Sequence, residues 1–405
     1  MFSQISLLAR PGQIPATIWI LGFVSLLMDV SSEMVQTLLP LYMVSGLGLS
    51  AVTIGLIEAI AIATATATKL CAGVFSDLIG SRKWLVVVGY GFGALAKPFF
   101  PLAEGLGAIV AGRFVDRVGK GIRSAPRDAL IADAAPADKR GACFGLRKSL
   151  DTVGGFVGPL IAVLVMMASG GDFRLVFWLA VIPAVLAVAM LVAGIREPET
   201  AQGRDGRQTI IGLLRRSGDL GRGFWLVMAA AAILMLARFS EAFLLLQAGA
   251  VGIAASYVPL VLVLMHLVYG LCAYPVGVMS DRIGRRGLLV GSIAVLAVAD
   301  LVIAFAPGIA GYVIGIGLWG LHMGMSQGLI ATLVADHSQE RLRGTAFGVF
   351  NLVCGVALML GNVMAGLIWE QFGTYMTFVA GAVACVMALI LFGVVVMRGH
   401  TPGAR

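Results

Sequence analysis

Long runs of hydrophobic residues, separated by short polar segments, recur along the chain from Ile14 to Val396. Each run approaches the roughly 20 residues that an α-helix needs to cross the hydrocarbon core of a bilayer. The runs are continuous, whereas strands of a membrane β-barrel alternate apolar and polar residues over roughly ten positions. The pattern predicts about twelve membrane-crossing helices, at 15–43, 51–76, 84–102, 107–131, 141–168, 174–195, 224–249, 253–279, 287–306, 309–335, 343–369 and 374–397.

The composition of the chain also indicates a membrane protein. Of its 405 residues, 59% are hydrophobic and 12% are charged, whereas an ordinary soluble domain has about 25% charged residues. The 53 glycines fit a helical bundle, because small residues let helices pack closely in lipid. We therefore predict an all-α membrane protein.

The positive charges are concentrated in every second polar segment. Lysines and arginines precede the first predicted helix, follow each even-numbered one and end the chain, and Arg174 is the one exception in the intervening segments. Under the positive-inside rule, both termini and the cation-rich segments are cytoplasmic. We expect a multi-pass protein of a bacterial-type inner (plasma) membrane. Its net charge of +8 then reflects topology rather than nucleic-acid binding.

The two halves of the chain share a repeat. The dipeptides Ala-Asp, Arg-Gly and Phe-Gly, which begin at positions 132, 140 and 144, reappear 203 positions later, and Gly73–Gly80 matches Gly277–Gly284 at an offset of 204. Duplicated bundles related by an axis along the membrane normal are a known plan of transporters. We predict two pseudo-symmetric six-helix bundles, 1–195 and 223–405, joined by a cytoplasmic linker at 196–222.

With these motifs the chain resembles the major facilitator superfamily over nearly its whole length. The segment after the second predicted helix is similar to that family's signature, although Ser81 stands where the family has an arginine, and the copy in the second half matches more fully. The resemblance implies a conformational latch on the cytoplasmic side, and the alternative is a tight, charged turn. The residues of the expected latch are Gly73, Asp77, Gly80, Arg82, Asp128, Gly277, Asp281, Gly284 and Arg285.

Two further segments resemble the drug/proton antiporters of this family. Residues 117–121 are similar to a pattern linked with proton transfer, although Lys120 replaces the usual glutamine. Gly154, Gly158 and Pro159 match part of the antiporter signature, whose trailing glycine pair is absent here. The alternative for this second segment is helix packing through glycines, with a kink at the proline.

Charged residues inside the predicted helices are candidates for function, because a charge at the bilayer centre costs roughly 2.5–3.5 kcal/mol on insertion scales. Asp29 and Glu33 lie four residues apart and therefore share a helical face. We expect them to carry protons opposite the cations of the fourth helix, with Arg113 and Arg117 as modulators and Asp151 as a further member of the relay. The alternative is structural pairing that only neutralises these charges.

Other polar residues in the predicted helices are candidates to line a substrate cavity. They are Gln36, Glu58, Lys120, Arg238, Glu241, His266 and His322. Both histidines stand alone in apolar helices, so we expect no metal site. Lys97 receives no role, because a lysine near a helix end can extend its ammonium group to the interface.

The sequence favours transport over catalysis. It contains no Walker motif for ATP and no nucleophile motif, so we expect neither an enzyme nor a cofactor. The leading hypothesis is a monomeric secondary active transporter that couples proton movement to efflux of small amphipathic molecules by alternating access. A second is an organic-anion or siderophore-type permease that uses the cation-rich fourth helix. A third is a membrane sensor that retains the fold without transport.

Overall fold

The computed structural model describes residues 14–79, 82–136, 140–195, 220–283, 285–326 and 343–398. Within these ranges the chain is helical apart from short connections, and no strand is formed. The helices are α1 Ala16–Gln36, α2 Ala51–Ile79, α3 Arg82–Ala96, α4 Leu106–Ala134, α5 Arg140–Ala168, α6 Phe173–Leu179, α7 Val181–Gly194, α8 Arg222–Ala237, α9 Glu241–Ala250, α10 Leu260–Ile283, α11 Arg285–Phe305, α12 Gly308–Ser326, α13 Arg343–Phe372 and α14 Thr374–Arg398.

Ten helical stretches in the described part of the chain are long and apolar enough to cross a membrane. The two other predicted crossings are α3, which has 15 residues and continues into a 3₁₀ turn at Lys97–Phe99, and α4, whose 29 residues include many charges. Residues 327–335 of the predicted tenth helix lie outside the described ranges. The prediction of an all-α membrane protein with about twelve crossing helices in two bundles is confirmed.

The first crossing is interrupted after α1. Pro40 has no backbone N–H to donate to the carbonyl four residues earlier, which belongs to Gln36, so one helical hydrogen bond is lost at this point. The Thr37 hydroxyl donates to the Glu33 carbonyl oxygen at 2.6 Å. Beyond the break the chain forms a short turn at Leu39–Leu41 and a π-helix at Tyr42–Gly46.

The seventh crossing is interrupted between α8 and α9, close to the equivalent point of the repeat. Ser240, which lies 203 positions after Thr37, is the N-cap of α9, and its hydroxyl accepts a hydrogen bond from the Ala242 amide at 3.2 Å. The Ser240 amide in turn donates to Asn362 Oδ1 on α13 at 2.6 Å. The Ser240 amide and hydroxyl at the break are therefore bonded inside the protein, as a bilayer requires.

The described chain divides into two compact units. Unit 1 contains the residues up to Leu38 and those from Thr64 to the end of α7, and unit 2 contains Leu39–Ala63 and the helices from α8 onward. Helix α2 is therefore shared between the units. The predicted linker, 196–222, lies outside the described residues up to position 219, and α8 begins at its last position.

Candidate functional site

The charges of α4 are held in unit 1 by a buried ion pair with Lys97, which begins the 3₁₀ turn after α3. Lys97 Nζ lies 3.1 Å from Asp116 Oδ1 and donates to the Ser32 hydroxyl of α1 at 3.1 Å. The Lys97 side chain is only 2% exposed, so it does not extend to the interface. Arg117 Nε lies 3.6 Å from the other oxygen of Asp116. Together these contacts tie α1, α3 and α4 to one another.

A second polar cluster joins the same three helices further along α4. The Arg123 guanidinium lies 4.6 Å from the centre of the Tyr90 ring, a distance at which a cation and an aromatic face attract each other. The Tyr90 hydroxyl is 2.9 Å from the Ser25 hydroxyl. Arg127 donates to both oxygens, at 3.4 Å and 3.5 Å. These cations therefore stabilise the bundle through partners inside unit 1.

Helix α5 contributes an arginine that contacts two carboxylates. Arg147 lies 2.6 Å from Asp151 Oδ2 and 3.8 Å from Asp128 Oδ1 on α4. Asp128 is also paired with Arg127 at 3.3 Å. The second oxygen of Asp151 is buried and accepts no hydrogen bond from the described residues. Asp151 therefore keeps one oxygen available for a proton.

Two glycines of α5 bring this helix against the acidic face of α1. A Cβ atom added to Gly154 would lie 2.7 Å from the Leu26 carbonyl oxygen and 3.0 Å from Asp29 Cβ. One added to Gly158 would lie 2.7 Å from Glu33 Cβ. The glycine pattern thus packs at the two predicted proton carriers, and α5 continues as a helix through Pro159.

Asp29 is the carboxylate at the centre of this arrangement. It is half-buried, and it forms no hydrogen bond or ion pair with any other residue in the described ranges. Its charge acts on Asp151 of α5 and on Lys120 of α4. The negative charges of Asp29 and Asp151 therefore disfavour each other.

The remaining candidates of unit 1 differ in exposure. Glu33 and Gln36 are half-buried on α1. Arg113 is buried, and its charge, like that of Arg117, acts on Asp116. Lys120 is exposed, unlike the buried cations beside it.

Unit 2 brings together several of the predicted cavity residues. Glu58 is buried on α2 and accepts a hydrogen bond from the Ser240 hydroxyl at 3.3 Å. Arg238, at the end of α8, is an electrostatic neighbour of Glu241. Its charge also reaches His322.

The two histidines have different surroundings. His322 is fully buried on α12, its Nδ1 donates to the Ser292 carbonyl oxygen at 2.7 Å, and its Nε2 has no partner among the described residues. His266 is half-buried, and its Nδ1 lies 2.9 Å from the Leu262 carbonyl oxygen of its own helix. Within the described ranges no group of histidine, cysteine, aspartate and glutamate residues could hold a metal ion.

The expected latch is described only in part. Gly73 and Asp77 lie in the last turns of α2, Arg82 begins α3, Gly277 and Asp281 lie in the last turns of α10, and Arg285 begins α11. Gly80 and Gly284 are outside the described residues. Asp128 contacts Arg127 and Arg147, as given above.

Lys97, Asp116 and Asp300 are buried and form polar contacts, but they were not among the predicted site residues. Lys97 pairs with Asp116, and Asp300 of α11 accepts a hydrogen bond from Trp319 Nε1 at 2.9 Å. The signal was present in the repeat, because Lys97 and Asp116 precede Asp300 and Trp319 by 203 positions, the same offset as the matching dipeptides.

Comparison with known proteins places these features in a family. The model of the Major Facilitator Superfamily matches residues 21–248 and 227–405. An MFS-type transporter of Methanocaldococcus jannaschii is 28% identical over 391 residues, which cover 94% of this chain and 95% of the relative. The inner membrane transport protein YajR of Escherichia coli is 30% identical over 104 residues, 26% of this chain and 22% of that protein.

Solved structures show the same fold at low sequence identity. The nucleoside transporter NupG superposes with a TM-score of 0.80 at 14% identity, covering 94% of this chain and 99% of that one. The peptide transporter POT superposes with a TM-score of 0.78 at 15% identity, covering 95% of both chains.

Proposed function

The chain belongs to the Major Facilitator Superfamily and is a multi-pass membrane transporter, and from this premise we propose that it couples proton movement to the efflux of small amphipathic molecules by alternating access. The family match and the transporter relatives support the general activity. Coupling to protons is supported by the carboxylates of unit 1, and efflux is supported by the antiporter-like pattern of α5.

One observation carries the proposal. Asp29 is half-buried, has no hydrogen-bond partner among the described residues, and acts electrostatically on Asp151 across the glycine contacts of α1 and α5. A carboxylate that served only structure would be expected to have a bonded partner, as Asp116 does. Asp29 is therefore the proposed group that takes up and releases a proton.

The neighbouring charges give a reason for coupling. Arg147 contacts Asp151 on one oxygen, and the charge of Lys120 acts on Asp29. Protonation of either carboxylate changes its attraction to its cation. A rearrangement of α1 against α4 and α5 during alternating access would therefore favour protonation in one conformation and release in the other.

The test is solute-driven proton movement in proteoliposomes that contain a pH-sensitive dye. Wild-type protein, Asp29→Asn and Asp151→Asn are each challenged with cationic and anionic amphipathic solutes. We expect solute-triggered proton flux in the wild type and its loss in both variants. Glu104→Gln is the matched control, because this carboxylate is exposed in the connection between α3 and α4.

Two outcomes would contradict the proposal. Solute flux without proton movement, unchanged in the Asp29 and Asp151 variants, would indicate a uniporter with structural carboxylates. Binding of solute without any flux would favour a membrane sensor that has retained the fold.

The exposure of Lys120 favours a second candidate, an organic-anion or siderophore-type permease. Arg113 and Arg123 on the same helix are buried, whereas the Lys120 side chain is exposed and can reach an anionic solute. If the substrate is an anion, Lys120→Gln will weaken competition by anionic solutes, and Lys120→Arg will retain it. Unchanged competition in both variants would exclude this role for Lys120.

The remaining assignments are proposed together with this function. The protein works as a monomer without ATP in an inner (plasma) membrane, with both termini in the cytoplasm, as the cation distribution indicates. The functional bundles are 1–195 and 223–405, joined by the linker 196–222. The glycine and aspartate motifs at the ends of α2 and α10 act as the cytoplasmic latch.

A further inference from the structure

Asp300 is a carboxyl group enclosed in the interior of unit 2. Its side chain is 0% exposed. Oδ1 accepts a hydrogen bond from Trp319 Nε1 at 2.9 Å, and Oδ2 has no partner among the described residues. A Cβ atom added to Gly381 of α14 would lie 2.5 Å from Oδ2 and 3.2 Å from the Phe239 ring, so α14 approaches the carboxyl group closely.

The surroundings of Asp300 are mainly aromatic. The ring of Phe239 lies 6.3 Å from that of Trp319 and 5.6 Å from that of Phe378, measured between centroids. These rings pack against the indole of Trp319, but they provide no positive charge that could compensate an ionised carboxylate.

No cation is paired with Asp300 in the described part of the chain. Three other titratable groups belong to this region. The charges of Asp300 and Arg238 both act on Cys385 of α14, and the charge of Arg238 also acts on His322. None of the three forms an ion pair or a hydrogen bond with Asp300. On α12 the facing group is the Trp319 indole, which is a neutral donor.

The equivalent positions in unit 1 hold an ion pair instead. Lys97 precedes Asp300 by 203 positions, and Asp116 precedes Trp319 by the same number. In unit 1 a lysine and an aspartate neutralise each other at 3.1 Å. In unit 2 the carboxyl group lies on α11, at the position that corresponds to the lysine, and its partner Trp319 is uncharged. An ionised Asp300 would therefore leave a buried charge without compensation.

We propose that Asp300 is a proton-binding site, with a proton held on Oδ2, and that this neutral carboxyl group replaces in unit 2 the ion pair formed by Lys97 and Asp116 in unit 1. The proton is bound throughout the transport cycle. The neutral group leaves one O–H unbonded, which costs less than an unpaired buried charge. The site is separate from the carboxylates of α1 and α5, so the proposal does not rest on coupling through Asp29.

Infrared spectroscopy of the protein in liposomes at neutral pH tests the protonation state directly. We expect a carbonyl stretching band of a protonated carboxyl group in the wild type and its loss in Asp300→Asn. In Trp319→Phe the band should shift to higher frequency, because Oδ1 loses its hydrogen-bond donor. Glu104→Gln is the control and should leave the band in place, since Glu104 is an exposed carboxylate in the connection between α3 and α4.

Transport is the second measurement, and thermal unfolding establishes that each variant is folded. Asp300→Asn keeps the shape and neutrality of the protonated carboxyl group and its acceptor for Trp319, so transport should stay within about twofold of the wild type. A band that is identical in wild type and Asp300→Asn would overturn the proposal. So would a folded Asp300→Asn variant without transport, because Asp300 would then have to ionise during the cycle.

Discussion

Lys97 and Asp116 form an ion pair at 3.1 Å, and the residues 203 positions later, Asp300 and Trp319, form a hydrogen bond at 2.9 Å. The contact between the 3₁₀ turn after α3 and helix α4 thus recurs at the corresponding positions of α11 and α12. The repeat has kept the helix contact while its side chains have changed. Each pair is suited to a membrane interior, because each brings a polar group together with a partner.

The ion pair between Lys97 and Asp116 should contribute strongly to stability. Lys97→Met leaves Asp116 buried with the longer contact to Arg117 at 3.6 Å, and loss of one partner of a buried pair costs roughly 3–5 kcal/mol. We expect a clearly lower unfolding temperature in detergent micelles.

A double variant separates the pair from the packing of its side chains. Lys97→Met with Asp116→Leu removes both charges, and we expect it to recover most of the lost stability, because apolar side chains can replace a buried ion pair. If the double variant is as unstable as the sum of the two single variants, the two residues do not act as a pair.

Asn362 should be needed for the break between α8 and α9. Its Oδ1 accepts from the Ser240 amide at 2.6 Å inside the protein, and a buried amide without an acceptor costs about 1–3 kcal/mol. Asn362→Ala should therefore lower the unfolding temperature. Asn351→Ala is the control on the same helix, because Asn351 is exposed and bonds only to the Phe347 carbonyl oxygen of its own helix. Equal unfolding temperatures for the two variants would contradict this role.

The helices could be predicted from the sequence because bilayer thickness fixes the length of each apolar run. The interruptions at Thr37 and Ser240 were not predicted, since each lies between two apolar stretches that together are long enough for one crossing. Pro40 was a visible signal for the first. The second depends on Asn362, which is distant in the sequence and is brought near only by folding.

For the site, the sequence predicted several of the residues involved but not which residues contact each other. The acidic face of α1 was readable from the spacing of Asp29 and Glu33. The structure places α5 against that face through Gly154 and Gly158, and pairs Asp116 with Lys97 rather than leaving Lys97 at the interface. Such pairings depend on which helices are neighbours, and the apolar pattern does not encode that.

Gly158 should tolerate no side chain. A Cβ atom there would lie 2.7 Å from both the Val30 carbonyl oxygen and Glu33 Cβ, so α1 and α5 would have to separate, and overpacking of this kind costs roughly 1–3 kcal/mol. Gly158→Ala should lower the unfolding temperature and transport together. The control is Gly145→Ala on the same helix, where no atom lies within 4 Å of the added carbon. A Gly158→Ala variant as stable as the control would show that the contact can relax.

Lys120 should face water. Its side chain is exposed although it lies within a membrane-crossing helix, and a cation that is not buried in protein lines a water-filled passage rather than lipid, because lipid solvation of a charge is costly. In a background without the five native cysteines, Lys120→Cys should react with a charged, water-soluble methanethiosulfonate reagent. Ile109→Cys on the same helix should not react, because Ile109 is 0% exposed. Transported solute should slow the labelling of Lys120→Cys if the passage is its route, whereas no labelling of this variant would place Lys120 away from water and remove the argument for an anion site there.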